Sequence, residues 1–141
     1  MEAEINELNN ILTTIDSVYR DAAAKLGVTD TEMNILYVIH WEGGSCNQSC
    51  LYKKTGVTRS TINSSLHKMQ ERGEIELVRG EGRNVRVVLT ESGKALSGKT
   101  ASVIVGFEED IFGSWPQQDR QNFLQLNRRY LEQLKGKVSE L

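Results

Sequence analysis

The chain has 141 residues, 38% of them hydrophobic and 26% charged, with a net charge of −2. That length and balance suit one globular core with helical extensions, able to fold without disulfide or metal staples. No stretch approaches the roughly 18 consecutive apolar residues of a membrane span, and an acidic Met1-Glu2-Ala3-Glu4 start with only two cysteines leads us to expect a cytoplasmic protein.

The first periodic segment covers about residues 4–26, where Ile5, Leu8, Leu12, Ile15, Tyr19, Ala22 and Leu26 recur at three- and four-residue spacing on one helical stripe. Gly27 ends it. Thr29, with Glu32 three residues on, predicts a capping box for a second helix whose inner face carries Ile35, Leu36, Ile39 and His40. A short third helix is expected over 47–55 around Leu51, closed by Gly56. Thr58 is expected to cap a fourth, with Ile62, Leu66 and Met69 on one face and Gly73 at its end.

There the period changes from 3.6 to 2. Ile75 and Leu77 alternate with glutamates, and after a turn at Gly80-Glu81-Gly82, Val85, Val87 and Leu89 alternate again, predicting a hairpin. Thr90 is expected to cap a single fifth helix running through Leu96, Ile104, Phe107 and Ile111. Ser114 is the expected cap of the last helix, with Pro116 in its first turn. In that helix Leu124, Leu131 and Val138 repeat every seven residues, a coiled-coil-like seam.

The predicted fold is mostly α with a small β-hairpin wing (α+β): a winged helix-turn-helix lobe over 28–95, flanked by helical regions at 1–27 and 96–141. Charge follows this division. Residues 46–90 hold eight basic and four acidic side chains, so this segment is +4 and the remainder −6. A basic middle between acidic ends fits a DNA-binding unit on an acidic scaffold.

A helix-turn-helix needs a support helix, a tight turn and a second helix with a free outer face. Leu51 to Ile62 meets this, with Leu51, Val57, Ile62 and Leu66 as anchors and Gly56 as the turn. With Ile62 inward and about 100° per residue, Ser60, Ser64, His67 and Glu71 point outward, flanked by Thr61, Asn63 and Lys68. Short hydroxyl and amide side chains suit base edges. Thr58 lies at the helix start, and Arg59 and Lys68 are placed for phosphate. The wing adds Arg79, Arg83 and Arg86, and Arg83 sits at its tip, where a long cation can enter a narrow minor groove. Double-stranded DNA is the expected partner.

These residues resemble the multiple-antibiotic-resistance regulator (MarR) family. Val28 to Leu36 looks like the start of its second helix, Thr58 to Gly73 like its recognition stretch, ending Leu66-His67-Lys68-Met69-Gln70-Glu71-Arg72-Gly73, and Arg83 to Gly93 like its wing strand and following helix. The resemblance implies a homodimer built by the first, fifth and sixth helices. It implies a pseudo-palindromic operator and a repressor relieved by a ligand or an oxidant. The family's Asp-x-Arg wing motif falls on Glu81 and Arg83, so Glu replaces Asp, and the wing is a few residues short. Family ligands are often small, aromatic and anionic, and by position Tyr37, His40 and Trp41 are candidate lining residues. The terminal apolar stripes independently favour a homodimer, since an exposed seam is a liability on a monomer.

Other signals are weaker. Cys46 and Cys50 lie four apart and could form a redox switch, but without nearby ligands they make a poor zinc site, and neither a metal nor a cofactor is expected. No Gly-rich phosphate loop, Gly-x-Ser-x-Gly elbow or His-Glu-x-x-His is present, so no enzyme activity is expected. A winged-helix module serving protein partners only is the remaining alternative, disfavoured by the basic middle segment.

Overall fold

A computed structural model describes all 141 residues. The chain falls into two compact units, Met1–Ile104 and Val105–Leu141. In the first, helices α1 (Glu2–Lys25) and α2 (Asp30–Trp41) lead to a short strand β1 (Ser45–Asn47). There follow α3 (Gln48–Thr55), α4 (Arg59–Glu71), the hairpin β2 (Ile75–Arg79) and β3 (Val85–Leu89), and α5 (Glu91–Lys99). Helix α6 (Ala101–Ser114) starts in this unit and continues into the second, which also holds α7 (Gln117–Ser139).

The first unit is organised around one apolar cluster. Ile35, Leu36 and Ile39 of α2, Leu51 of α3, and Ile62, Leu66 and Met69 of α4 meet Ile75, Val87 and Leu89 of the sheet, and all are buried. Each fully buried side chain of this size contributes about 1.5–3 kcal/mol over its exposed state. The helical comb and the strand alternation read from sequence therefore converge on the same interior. A second cluster joins Ala23 of α1, Met33 of α2 and Ile104.

Thr29 caps α2 by accepting from Glu32 N–H at 3.1 Å. The capping box is only half realised, because the Glu32 carboxylate turns to Arg72 at 3.1 Å. Arg72, the C-cap residue of α4, also binds Glu74 through Nε at 2.9 Å and Nη2 at 3.1 Å. One guanidinium thus joins the start of α2, the end of α4 and the approach to β2. These hydrogen bonds, Glu74 foremost, raise the Arg72 pKa further.

Three boundaries differ from the sequence expectation. The sheet has three strands, not two: β1 pairs antiparallel with β3, giving the order β1-β3-β2. Val87 lies opposite both Cys46 and Leu77, which closes the sheet over the core. The expected single fifth helix is two, broken at buried Thr100 (φ −127°, ψ −83°), whose hydroxyl donates to Leu96 C=O at 2.7 Å. The cap of α7 is Pro116, not Ser114, whose hydroxyl instead donates to Ile111 C=O at 2.7 Å in the last turn of α6. In this second unit Arg120 Nη1 donates to the carbonyls of Trp115 (2.6 Å) and Phe112 (3.1 Å), tying the start of α7 to the end of α6.

One glycine is required by close approach. A Cβ on Gly93 would stand 1.9 Å from Glu74 C=O. At the same junction Thr90 donates its hydroxyl to Gly73 C=O at 2.6 Å and accepts from Gly93 N–H at 3.1 Å. The start of α5 is thereby seated on the turn between α4 and β2.

Candidate nucleic-acid interface

Helices α3 and α4 meet across Gly56-Val57-Thr58. Gly56 has φ +65°, a left-handed conformation that lets α3 stop and the chain turn within three residues. Val57 packs on the core from this turn. With Ile62, Leu66 and Met69 buried, Arg59, Ser60, Thr61, Asn63, Ser64, His67 and Lys68 are all exposed, as the helical-angle argument expects, and so is Thr58.

The side chains on this face are not equally free. Thr58 does not cap α4 with its hydroxyl, contrary to expectation; the oxygen lies 2.8 Å from Thr61 Oγ1. The N–H groups of the first turn therefore keep their capacity to meet an anion. His67 Nε2 lies 3.0 Å from Glu71, which gives that carboxylate a partner at the far end of the helix. Arg59 places its guanidinium over the Tyr52 ring of α3, 5.0 Å from the centroid. Asn63 accepts at Oδ1 from the Tyr52 hydroxyl (2.6 Å) and from Gln48 Nε2 (2.7 Å).

Sequence reasoning missed Gln48 and Tyr52. Their i, i+4 spacing put them on one face of α3, but nothing in the sequence says that this face borders Asn63.

In the wing, Arg79 ends β2 and Arg83 lies in the turn between the strands; both are exposed, and neither side chain is held by another group. Arg86 is different. It sits inside β3, opposite Asn47 and Val78, and donates from Nε (3.1 Å) and Nη2 (2.7 Å) to Ser45 Oγ of β1. It braces the sheet, while Arg79 and Arg83 carry the free charge. Glu81 makes no ion pair with Arg83, so the carboxylate of the wing motif does not brace its arginine here.

The remaining candidates lie apart from this face. Tyr37, His40 and Trp41 cluster at the end of α2, with Trp41 meeting Tyr37 edge-on at 6.3 Å and His40 at 5.7 Å between centroids. Tyr37 is half-buried, while Trp41 is 58% exposed. A separate cleft of about 470 Å3, lined by Thr29, Glu32, Arg72, Glu74 and Leu96 among others, contains none of the three.

The redox reading of Cys46 and Cys50 is not supported. Both are free thiols, but Cys46 is buried, and burial first, then Cys50 and Glu42, pushes its pKa up to about 11. A peroxide-reactive cysteine needs the opposite shift, toward thiolate. Beside it, an exposed Glu42–Lys54 ion pair lowers the carboxylate pKa and raises the amine's, through their hydrogen bond and mutual charge. No group of three or more His, Cys, Asp or Glu side chains is arranged to hold a metal ion.

Comparison with known proteins agrees with this geometry. Residues 26–83 match the model of the MarR family. The chain is 21% identical over 130 residues to the uncharacterized HTH-type transcriptional regulator YwoH of Bacillus subtilis (strain 168), spanning 92% of this chain and 94% of that protein. Its fold is similar to that of a MarR family regulator from Neisseria meningitidis, with a TM-score of 0.84 at 20% identity, covering 97% of each chain. It is also similar to Bordetella bronchiseptica BpsR, whose DNA binding is regulated by 6-hydroxynicotinic acid, with a TM-score of 0.67 at 17% identity over 89% of this chain and 96% of that one.

Proposed function

We propose that the chain, whose residues 26–83 match the MarR family model, is a transcription regulator of that kind, binding duplex DNA as a homodimer and repressing from a pseudo-palindromic operator in the cytoplasm. One observation carries the reading. The polar side of α4 stands exposed beside a wing whose Arg79 and Arg83 are free, while the apolar side of the same helix is buried. A helix end and short polar side chains enter the major groove; a wing arginine reaches phosphate or the minor groove.

In this reading Thr58, Arg59 and Lys68 meet phosphate, and Ser60, Thr61, Asn63, Ser64 and His67 face base edges. Arg83 enters the minor groove, with Arg79 beside it. Arg86 acts mainly by holding the strand that carries the tip. Two lobes related by a two-fold axis would engage half-sites about 34 Å apart. The apolar faces of α1 and α7, with α6, are the proposed dimer helices.

Gel shift against fragments of the host genome, repeated over a salt series, tests this. Affinity should fall log-linearly with salt, by a factor of ten or more between about 50 and 200 mM. Binding that ignores salt, or no binding to duplex at all, would leave a module for protein partners instead.

Relief by a small aromatic anion is the second element of the proposal. The likeness to BpsR and the partly exposed Tyr37-His40-Trp41 group favour it. Hydroxylated aromatic acids, titrated into the DNA complex, should release it from the wild type and less so from Trp41→Ala. Equal release from both proteins would remove these residues from the effector site.

A further inference from the structure

We propose that Tyr52 and Gln48 of α3 are positioning residues that set the base preference of Asn63. By occupying its carbonyl oxygen they leave Asn63 able only to donate hydrogen bonds to DNA. This rests on the DNA-binding reading above and adds a specificity to it.

The geometry is a two-pronged clamp. The Tyr52 hydroxyl donates to Asn63 Oδ1 at 2.6 Å, and Gln48 Nε2 donates to the same atom at 2.7 Å. Gln48 and Tyr52 are one turn apart on α3, so both prongs come from one helix face. A carboxamide oxygen has two lone pairs, and both are used. Asn63 itself is exposed. The group of its own that it presents to a partner is therefore its NH2.

That matters for base reading. An unconstrained asparagine recognises adenine in the major groove bidentately, donating to N7 and accepting from the N6 amine. The clamp withholds the acceptor. What remains favours edges whose acceptors stand without a donor needing a partner beside them, O6 and N7 of guanine or O4 of thymine, over adenine, whose N7 is flanked by an N6 amine that Asn63 can no longer satisfy. Asn63 in this protein is an acceptor-seeking residue, and its choice is made on the neighbouring helix.

Tyr52 has a second task that the test must leave untouched. Its ring lies under the Arg59 guanidinium. Tyr52→Phe keeps the ring and that stacking and removes only the hydroxyl.

The 141-residue wild type, Tyr52→Phe, the double variant Tyr52→Phe/Gln48→Ala and Asn63→Asp are each used to select duplexes from a randomised pool, with circular dichroism to show that each folds. The wild type should select guanine or thymine at one position in each half-site. The double variant, its carbonyl released, should gain adenine there by about tenfold, and Tyr52→Phe alone by less. Asn63→Asp keeps an acceptor for both prongs but has no donor to offer, and should lose the guanine or thymine preference. Unchanged selection by the folded variants overturns the inference, as it would if Asn63 touched only phosphate. Failure of the wild type to select any sequence would overturn the regulator reading, and this inference with it.

Discussion

Arg83 is an exposed cation at a turn with nothing holding it, so in the proposed DNA complex it contributes to binding without contributing to folding. Arg83→Ala should weaken binding to every duplex alike and reduce the slope of log affinity against log salt by about 1, with the unfolding midpoint unchanged. Ser60→Ala or Ser64→Ala should instead relax base preference, read by competition between operator variants. Cys46 yields a prediction of the opposite kind. Its pKa rises from an ordinary 9.0 to about 11, so the folded state resists losing the thiol proton. The associated stability is fully present below pH 9 and is lost as pH climbs toward 11, which denaturant titrations across that window would register. Mild peroxide should leave mass and DNA affinity unchanged at neutral pH. The sequence gives the spacing of the two cysteines; it does not give burial, and burial decides their chemistry.

Elements with long apolar periods were legible, and those made by distant pairing were not. Ile62, Leu66 and Met69 define an inward side of α4, and from it the outward side follows by angle alone. Strand β1 has no such signature. Ser45-Cys46-Asn47 is too short to show alternation, and it becomes a strand only because β3, some forty residues on, lies beside it. The break at Thr100 was equally hidden, since the apolar residues continue on both sides while the residue's own hydroxyl closes back on Leu96. Gly93 shows what sequence motif and structure say together. Its backbone meets Glu74 too closely for any side chain, and Gly93→Ala should cost about 3 kcal/mol by forcing α5 off its seat. Chemical denaturation would measure this, and an unchanged midpoint would mean that the junction yields easily.

At the scale of the whole molecule, the terminal helices carry more apolar surface than one copy covers. On α1, Ile5, Leu8, Ile11, Leu12, Ile15 and Val18 are 37–62% exposed; on α7, Phe123, Leu124, Leu126, Tyr130, Leu131, Leu134 and Val138 are 41–55% exposed. The stripes themselves can be read from the chain, but what they cover cannot, because one copy of a sequence does not state its mate. In the proposed homodimer, Leu131→Asp should separate the copies with little loss of secondary structure, seen as halved mass in sedimentation, and should lower operator affinity by removing two-site engagement. The first unit sets a different limit. Strand β1 runs into α3 with no residue between Asn47 and Gln48, and Arg86 locks that strand to the wing through Ser45. Ribbon and support helix are thereby tied together, and Asn63 ties the probe helix to the support helix through Gln48 and Tyr52. Transplanting α4 alone into another scaffold would strip it of the neighbours that orient it, and because Ile35, Leu36 and Ile39 of α2 complete the core beneath it, the smallest portable unit runs from Thr29 to Gly93.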